Sequence, residues 1–144
     1  MNRTRAALAV TALTVCALAG SGVGSAAAAG EPLLPHPGPE GLVWVEEQVG
    51  DGGVASGGAW ERLPTVLTVA CEGGGEVRVT MRSRETEVAA FTVDCPAGTA
   101  GVGSVTMDPG VVRKGSFAIG VDASSETIRW ALTVTQPELP EQPA

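Results

Sequence analysis

The chain has 144 residues, room for one domain, and its 16 acidic against nine basic residues give a formal charge of −7. That balance disfavours nucleic acid and anionic membrane surfaces as partners, because both demand basic patches. One histidine, three cysteines and a 3% share of aromatics leave little material for metal sites, catalytic dyads or aromatic platforms.

Arg3 and Arg5 precede a mostly apolar run over residues 6–19, too short for a membrane span, and residues 25–29 form a small-residue cleavage region. Residues 1–29 therefore read as a cleaved secretory signal peptide, cut after Ala29. Cleavage removes Arg3, Arg5 and Cys16. Seven basic residues then face 16 acidic ones, a formal charge of −9. Two cysteines remain, an even number in an exported chain, so a disulfide between Cys71 and Cys95 is expected. Residues 13–16 (LTVC) also have the outline of a lipoprotein signal, which would lipidate Cys16 and anchor the protein at the cell surface. Val15 is larger than the small residue such a signal carries before its cysteine. Free secretion is the expectation and lipid anchoring the alternative.

Residues 30–41 hold four prolines and read as an extended linker. Residues 42–49 are a first candidate strand, with Val43 and Val45 on one side and Leu42 and Trp44 on the other. Residues 50–58 hold five glycines and read as a flexible loop. Residues 64–95 organise the chain through three period-two runs. Leu67, Val69 and Cys71 mark the first, Val77, Val79 and Met81 the second, and Ala89, Phe91, Val93 and Cys95 the third. Gly73, Gly74 and Gly75 read as a hairpin between the first two, and residues 83–85 punctuate the next junction.

Beyond Cys95, residues 96–98 turn the chain and residues 102–107 form a weak strand. Asp108-Pro109-Gly110 is a strong turn signal. Residues 116–121 are a strand with Phe117, Ile119 and Val121 inward. Residues 127–135 are the clearest strand: Ile128, Trp130, Leu132 and Val134 face one way, Arg129, Ala131, Thr133 and Thr135 the other. Residues 137–144 are proline-rich and acidic, a disordered tail.

About seven short strands with Gly- and Pro-rich turns predict an all-β domain over residues 42–136. The expected architecture is a two-sheet antiparallel β-sandwich, immunoglobulin-like or jelly-roll-like, with a closed barrel as the alternative. In a flat meander the first and third runs would be parallel and roughly 9–10 Å apart. A disulfide needs Cα atoms within about 7 Å. Bonding Cys71 to Cys95 therefore puts their strands on facing sheets or makes them direct neighbours, and facing sheets are favoured. The bond closes a loop of about 25 residues, a stabilisation of roughly 3.5 kcal/mol in the loop-entropy model. No tryptophan lies between the two cysteines, so the immunoglobulin likeness stops at architecture.

Arginine outnumbers lysine eight to one, a bias of GC-rich bacterial genomes. Through its signal, the CEGGG of residues 71–75, the FTVDCP of residues 91–96 and the closing Ile128-Arg129-Trp130, the chain resembles small secreted β-sandwich proteins of actinobacteria. The resemblance spans about residues 64–136 and implies export and a stapled sandwich, with no particular activity.

The chemistry-bearing residues are few. His36 sits between prolines, where a general base would not be held to the needed precision. With Cys71 and Cys95 bonded, no thiol nucleophile remains. No spacing of His, Cys or carboxylates matches a zinc or calcium site, and no cofactor is expected. Glu46, Glu47 and Asp51 read as loop solubility. Gly73 to Gly75 joins strands and opens no helix, so it is not a phosphate cradle. A small sandwich leaves little room for a catalytic cleft between paired carboxylates.

Two surface candidates remain. Trp44 and Trp60 flank the glycine-rich stretch and would form a ligand surface if both are exposed on one face. Arg78, Arg82 and Arg129 would form a patch gripping a carboxylate or glycan if their strands are neighbours. The expectation is a non-enzymatic, secreted, monomeric binding module for an extracellular protein or glycan, without a membrane span. The alternatives are a carbohydrate- or cell-wall-binding module, a secreted enzyme inhibitor and a surface lipoprotein. An inhibitor would present a rigid exposed loop, and residues 50–58 read as too flexible for that.

Overall fold

A computed structural model describes residues 32–138. The expected signal region and most of the acidic tail lie outside the described residues. Eight strands follow one another: β1 (Gly41–Val49), β2 (Gly52–Ala59), β3 (Thr65–Glu72), β4 (Glu76–Ser83), β5 (Thr86–Asp94), β6 (Gly101–Met107), β7 (Gly115–Ala123) and β8 (Arg129–Thr135). They form two four-stranded antiparallel sheets, ordered β1-β8-β3-β6 and β2-β7-β4-β5. The molecule is a β-sandwich and not a closed barrel, with eight strands where the sequence suggests seven.

The chain changes sheet at every connection except one, the β4–β5 hairpin. This is the double Greek-key order of a jelly roll. The hairpin turns through Arg84, whose φ of 59° is left-handed. Residues 73–75 are therefore not a hairpin. They carry the chain from β3 in the first sheet to β4 in the second, with φ of 132°, 85° and 126° that favour glycine.

The alternating runs face each other across the sandwich. Leu67, Val69, Leu132, Val134 and Trp130 come from the first sheet, and Val77, Val79, Met81, Ile119 and Val121 from the second, all nearly solvent-free. The expected inward faces of β3, β4, β7 and β8 are those found. Cys71 ends the inward row of β3 and Cys95 follows β5, so their disulfide joins the two sheets with Cα atoms 5.0 Å apart. The glycine crossing is knitted to the same point: Gly74 N–H donates to Cys95 O, and Cys95 N–H donates to Gly75 O, both at 2.8 Å.

The glycine-rich stretch corrects the flexible-loop expectation. Gly52–Ala59 is strand β2, paired with β7 from Gly52 opposite Val121 to Ala59 opposite Gly115. Two of its glycines are required by close approach. A Cβ on Gly53 would lie 2.5 Å from the Ile119 carbonyl oxygen, and one on Gly52 would lie 2.9 Å from the buried Trp130 ring. Trp130 Nε1–H donates to Gly50 O at 2.7 Å, which satisfies the one polar atom of the largest core side chain.

The proline segment lies on the outer face of the first sheet. Leu34 is buried there against Ala70 and Ala131, whose side chains point away from the main core. It thus covers the centre of a sheet face that would otherwise meet water.

Candidate functional site

One end of the sandwich is built by residues 60–64, which cross from β2 to β3, and residues 108–114, which cross from β6 to β7. Register slips between Ser56 and Ala59, and Ala59 is buried while Trp60 turns outward. Trp60 is 53% exposed, the most exposed large aromatic among the described residues. A ring of that size is usually well buried.

The Trp60 backbone is nevertheless locked. Gln136, one residue past β8 and 4% exposed, accepts from Trp60 N–H at 2.9 Å. Its amide donates to Trp60 O at 3.0 Å and to the buried Thr65 hydroxyl at 2.9 Å. The indole therefore stands on a fixed base with about half of the residue exposed. The Arg62 guanidinium lies over the ring, 5.8 Å from its centroid.

Trp60 lines two hollows. One, of about 250 Å³, is walled by Gly58, Ala59, Gly115 and Lys114. The other, of about 200 Å³, is walled by Leu42, Leu63, Gln136, Glu40 and Glu138. The only charged side chain in the first wall is a cation, and in the second wall both are carboxylates.

Glu61 neighbours the first hollow but is already engaged. Its carboxylate accepts from Arg113 Nε at 2.8 Å, an exposed ion pair. That hydrogen bond holds the Glu61 carboxyl below its ordinary value of 4.5, against an opposing desolvation; the Arg113 charge, the Lys114 backbone N–H and Arg84 add to the lowering. Arg113 N–H donates to Ser83 Oγ at 2.7 Å, and Arg84 Nη2 donates to Lys114 O at 3.2 Å. Gly110 N–H donates to Glu61 O at 2.6 Å. The crossing loops are thus tied to each other and to the β4–β5 hairpin, which fixes where Lys114 stands.

Trp44 does not join Trp60 in a common platform. It lies half-buried on the outer face of the first sheet, with Nε1–H donating to Leu34 O at 3.3 Å. His36, exposed, meets it edge-on at 4.8 Å between ring centroids and accepts from Gly38 N–H through Nδ1. Trp44 lines its own hollow of about 150 Å³ with His36 and Pro37.

The arginines do not form one patch either. Arg78 and Arg82 project from β4 in the second sheet, while Arg129 projects from β8 in the first. Period-two faces place a side chain in or out, but the sheet crossing after β3 sends these outward faces in opposite directions. Arg129 is held between Glu72 and Glu47, the latter at 2.8 Å, and its hydrogen bond to Glu72 is the first reason its pKa is raised. Arg82 donates to Glu85 O at 2.8 Å.

Lys114, Arg62 and Gln136 were not legible as site residues. None lies in an alternating run, and their meeting at Trp60 depends on contacts between distant segments, the Gln136 bond spanning 76 residues. Among the described residues, no three His, Cys, Asp or Glu side chains converge as metal ligands. No helix among them is long and apolar enough to cross a membrane.

No family model matches the chain, and no curated protein matches it. Among solved structures, it is similar to the extra small virus of the giant freshwater prawn Macrobrachium rosenbergii, seen as a virus-like particle by cryo-electron microscopy. The identity is 12%, over 94% of this chain and 97% of that one, with a TM-score of 0.26. A likeness of that degree carries no argument about function.

Proposed function

We propose that this chain is an exported, non-enzymatic binding module that engages a glycan through the Trp60 end of its sandwich. The observation that carries the reading is Trp60 itself: half exposed, yet clamped at the backbone by two hydrogen bonds with a buried glutamine that is itself anchored to Thr65. Rigid tryptophans supply large contact area at little entropic cost, which suits them to recognition. The hollows beside the ring are shallow and suit a sugar ring lying on the indole better than a deep-seated substrate. A non-enzymatic role is supported by the disulfide, which occupies both cysteines of the exported chain, and by the placing of His36 against Trp44.

The test is titration of the full exported chain with a panel of neutral and acidic oligosaccharides, followed by tryptophan fluorescence. Saturable quenching is expected, lost in Trp60→Ala and kept in Trp44→Phe. Trp130, fully buried, contributes a constant background. A panel without any binder overturns the proposal.

A further inference from the structure

We infer that the Trp60 site takes a sugar bearing a single carboxylate, seated with the carboxylate toward Lys114. The inference rests on the glycan-binding reading above and adds the charge and direction of the ligand. Its observation is the polarity of the two hollows. Lys114 is the one polar-headed side chain lining the Gly58–Gly115 hollow besides Trp60, and the Arg62 guanidinium lies over the Trp60 ring. Both are donor-only groups. Neither is in an ion pair among the described residues.

A neutral sugar presents hydroxyls that want acceptors as well as donors, and that wall has no acceptor side chain. The neighbouring carboxylate, Glu61, is not part of that wall and is engaged by Arg113 and the Lys114 N–H. A ligand carboxylate supplies the missing acceptor and makes a charge-assisted hydrogen bond, roughly twice as strong as a neutral one. Arg84 holds the Lys114 backbone carbonyl at 3.2 Å, which fixes the root of the lysine side chain at the hollow it lines.

The second hollow limits the ligand. Glu40 and Glu138 stand there, so a second acidic unit crossing Trp60 would meet like charge. The chain as a whole is acidic, which further penalises a polyanion. One isolated or terminal acidic sugar on a neutral chain fits both walls, and a polyuronate does not. The neutral remainder would lie toward Leu42 and Leu63.

Isothermal titration calorimetry of the exported chain tests this with three probes: xylotriose carrying one glucuronate, neutral xylotetraose, and an acetylated glutamate-containing tetrapeptide. The acidic saccharide is expected to bind at least about ten-fold tighter than the neutral one, with the preference shrinking between 50 and 500 mM salt as screening grows. Lys114→Met should erase the preference while leaving neutral binding, and Trp60→Ala should abolish both. Lys114 is exposed, so its replacement leaves the core intact. Equal binding of the two saccharides would overturn this inference and leave the glycan module standing. Tighter binding of the peptide would overturn it in favour of an acidic protein partner. Silence from all three probes, together with an empty glycan panel, would overturn the module reading as well.

Discussion

Replacing Gln136 with Leu separates the clamp beneath Trp60 from the packing around it. The two side chains have similar volume, so cavity effects stay small. The change removes three hydrogen bonds, to Trp60 N–H, Trp60 O and Thr65 Oγ1, at 2.9, 3.0 and 2.9 Å. Each contributes about 1 kcal/mol net, and the Thr65 hydroxyl, 1% exposed, loses its partner inside the protein. The expected loss is therefore about 2–4 kcal/mol. With a urea m-value of about 1–3 kcal/mol/M, the unfolding midpoint should fall by roughly 1 M or more. Acrylamide quenching gives a second readout, because Trp130 is shielded and the gain in accessibility would come from a loosened Trp60. A midpoint within about 0.3 M of the parent and unchanged quenching would show that Gln136 is no clamp, and the rigid-platform argument would go with it.

Replacing Cys71 and Cys95 together by Ala should cost about 3–4 kcal/mol, measured by calorimetry, and an unchanged melting curve would refute the inter-sheet staple. Trp130→Ala should cost about 3–5 kcal/mol in denaturant, since it empties the centre of the core and orphans Gly50 O. Gly53→Ala drives a Cβ into the Ile119 carbonyl and should destabilise by about 1–3 kcal/mol, whereas Gly57→Ala, in open space, should stay within about 0.5 kcal/mol. Equal melting of the two variants would mean that β2 is not paired as described. The Glu61 pKa is depressed in the folded protein, so its pair with Arg113 stabilises above the unfolded value of 4.5 and that contribution fades as pH falls through the folded value. Glu61→Gln should accordingly flatten the acid side of a stability-versus-pH curve, with a small loss of stability at neutral pH that vanishes below the folded pKa of Glu61.

The strands that could be read are those whose side chains alternate in size. Leu67-Val69-Cys71 and Trp130-Leu132-Val134 announce their buried faces because a large apolar group recurs every second residue. Strand β2 could not be read by the same rule. It is mostly glycine, alanine and serine, and at Gly52 and Gly53 the reason lies in the opposing elements: the Trp130 ring and Ile119 O leave no space for a side chain. Glycine there reports close approach, which a single sequence does not distinguish from looseness. The same ambiguity hid the sheet change at residues 73–75, where the positive φ values serve a crossing and not a hairpin.

The distance argument from the cysteines survived because it used geometry and not pattern. A bond of 5.0 Å between Cα atoms cannot span a middle strand, so the staple had to join facing sheets or adjacent strands, whatever the strand order. The surface candidates had no such constraint. Placing Arg129 beside Arg78 needed the strand order, and the double Greek key sends β4 and β8 to different sheets. What that order does bring together is loops. Residues 60–64 and 108–114 meet because each crosses between sheets at the same end of the sandwich. In a jelly roll most of the sheet-changing connections gather at the two ends, so recognition is built there from residues far apart in sequence. The same gathering brings Trp60, Arg62, Lys114 and Gln136 to one end here. The sandwich holds its stability in the middle and leaves this end to carry a backbone-clamped ring that lines both a hollow with a cation in its wall and a hollow with carboxylates in its wall.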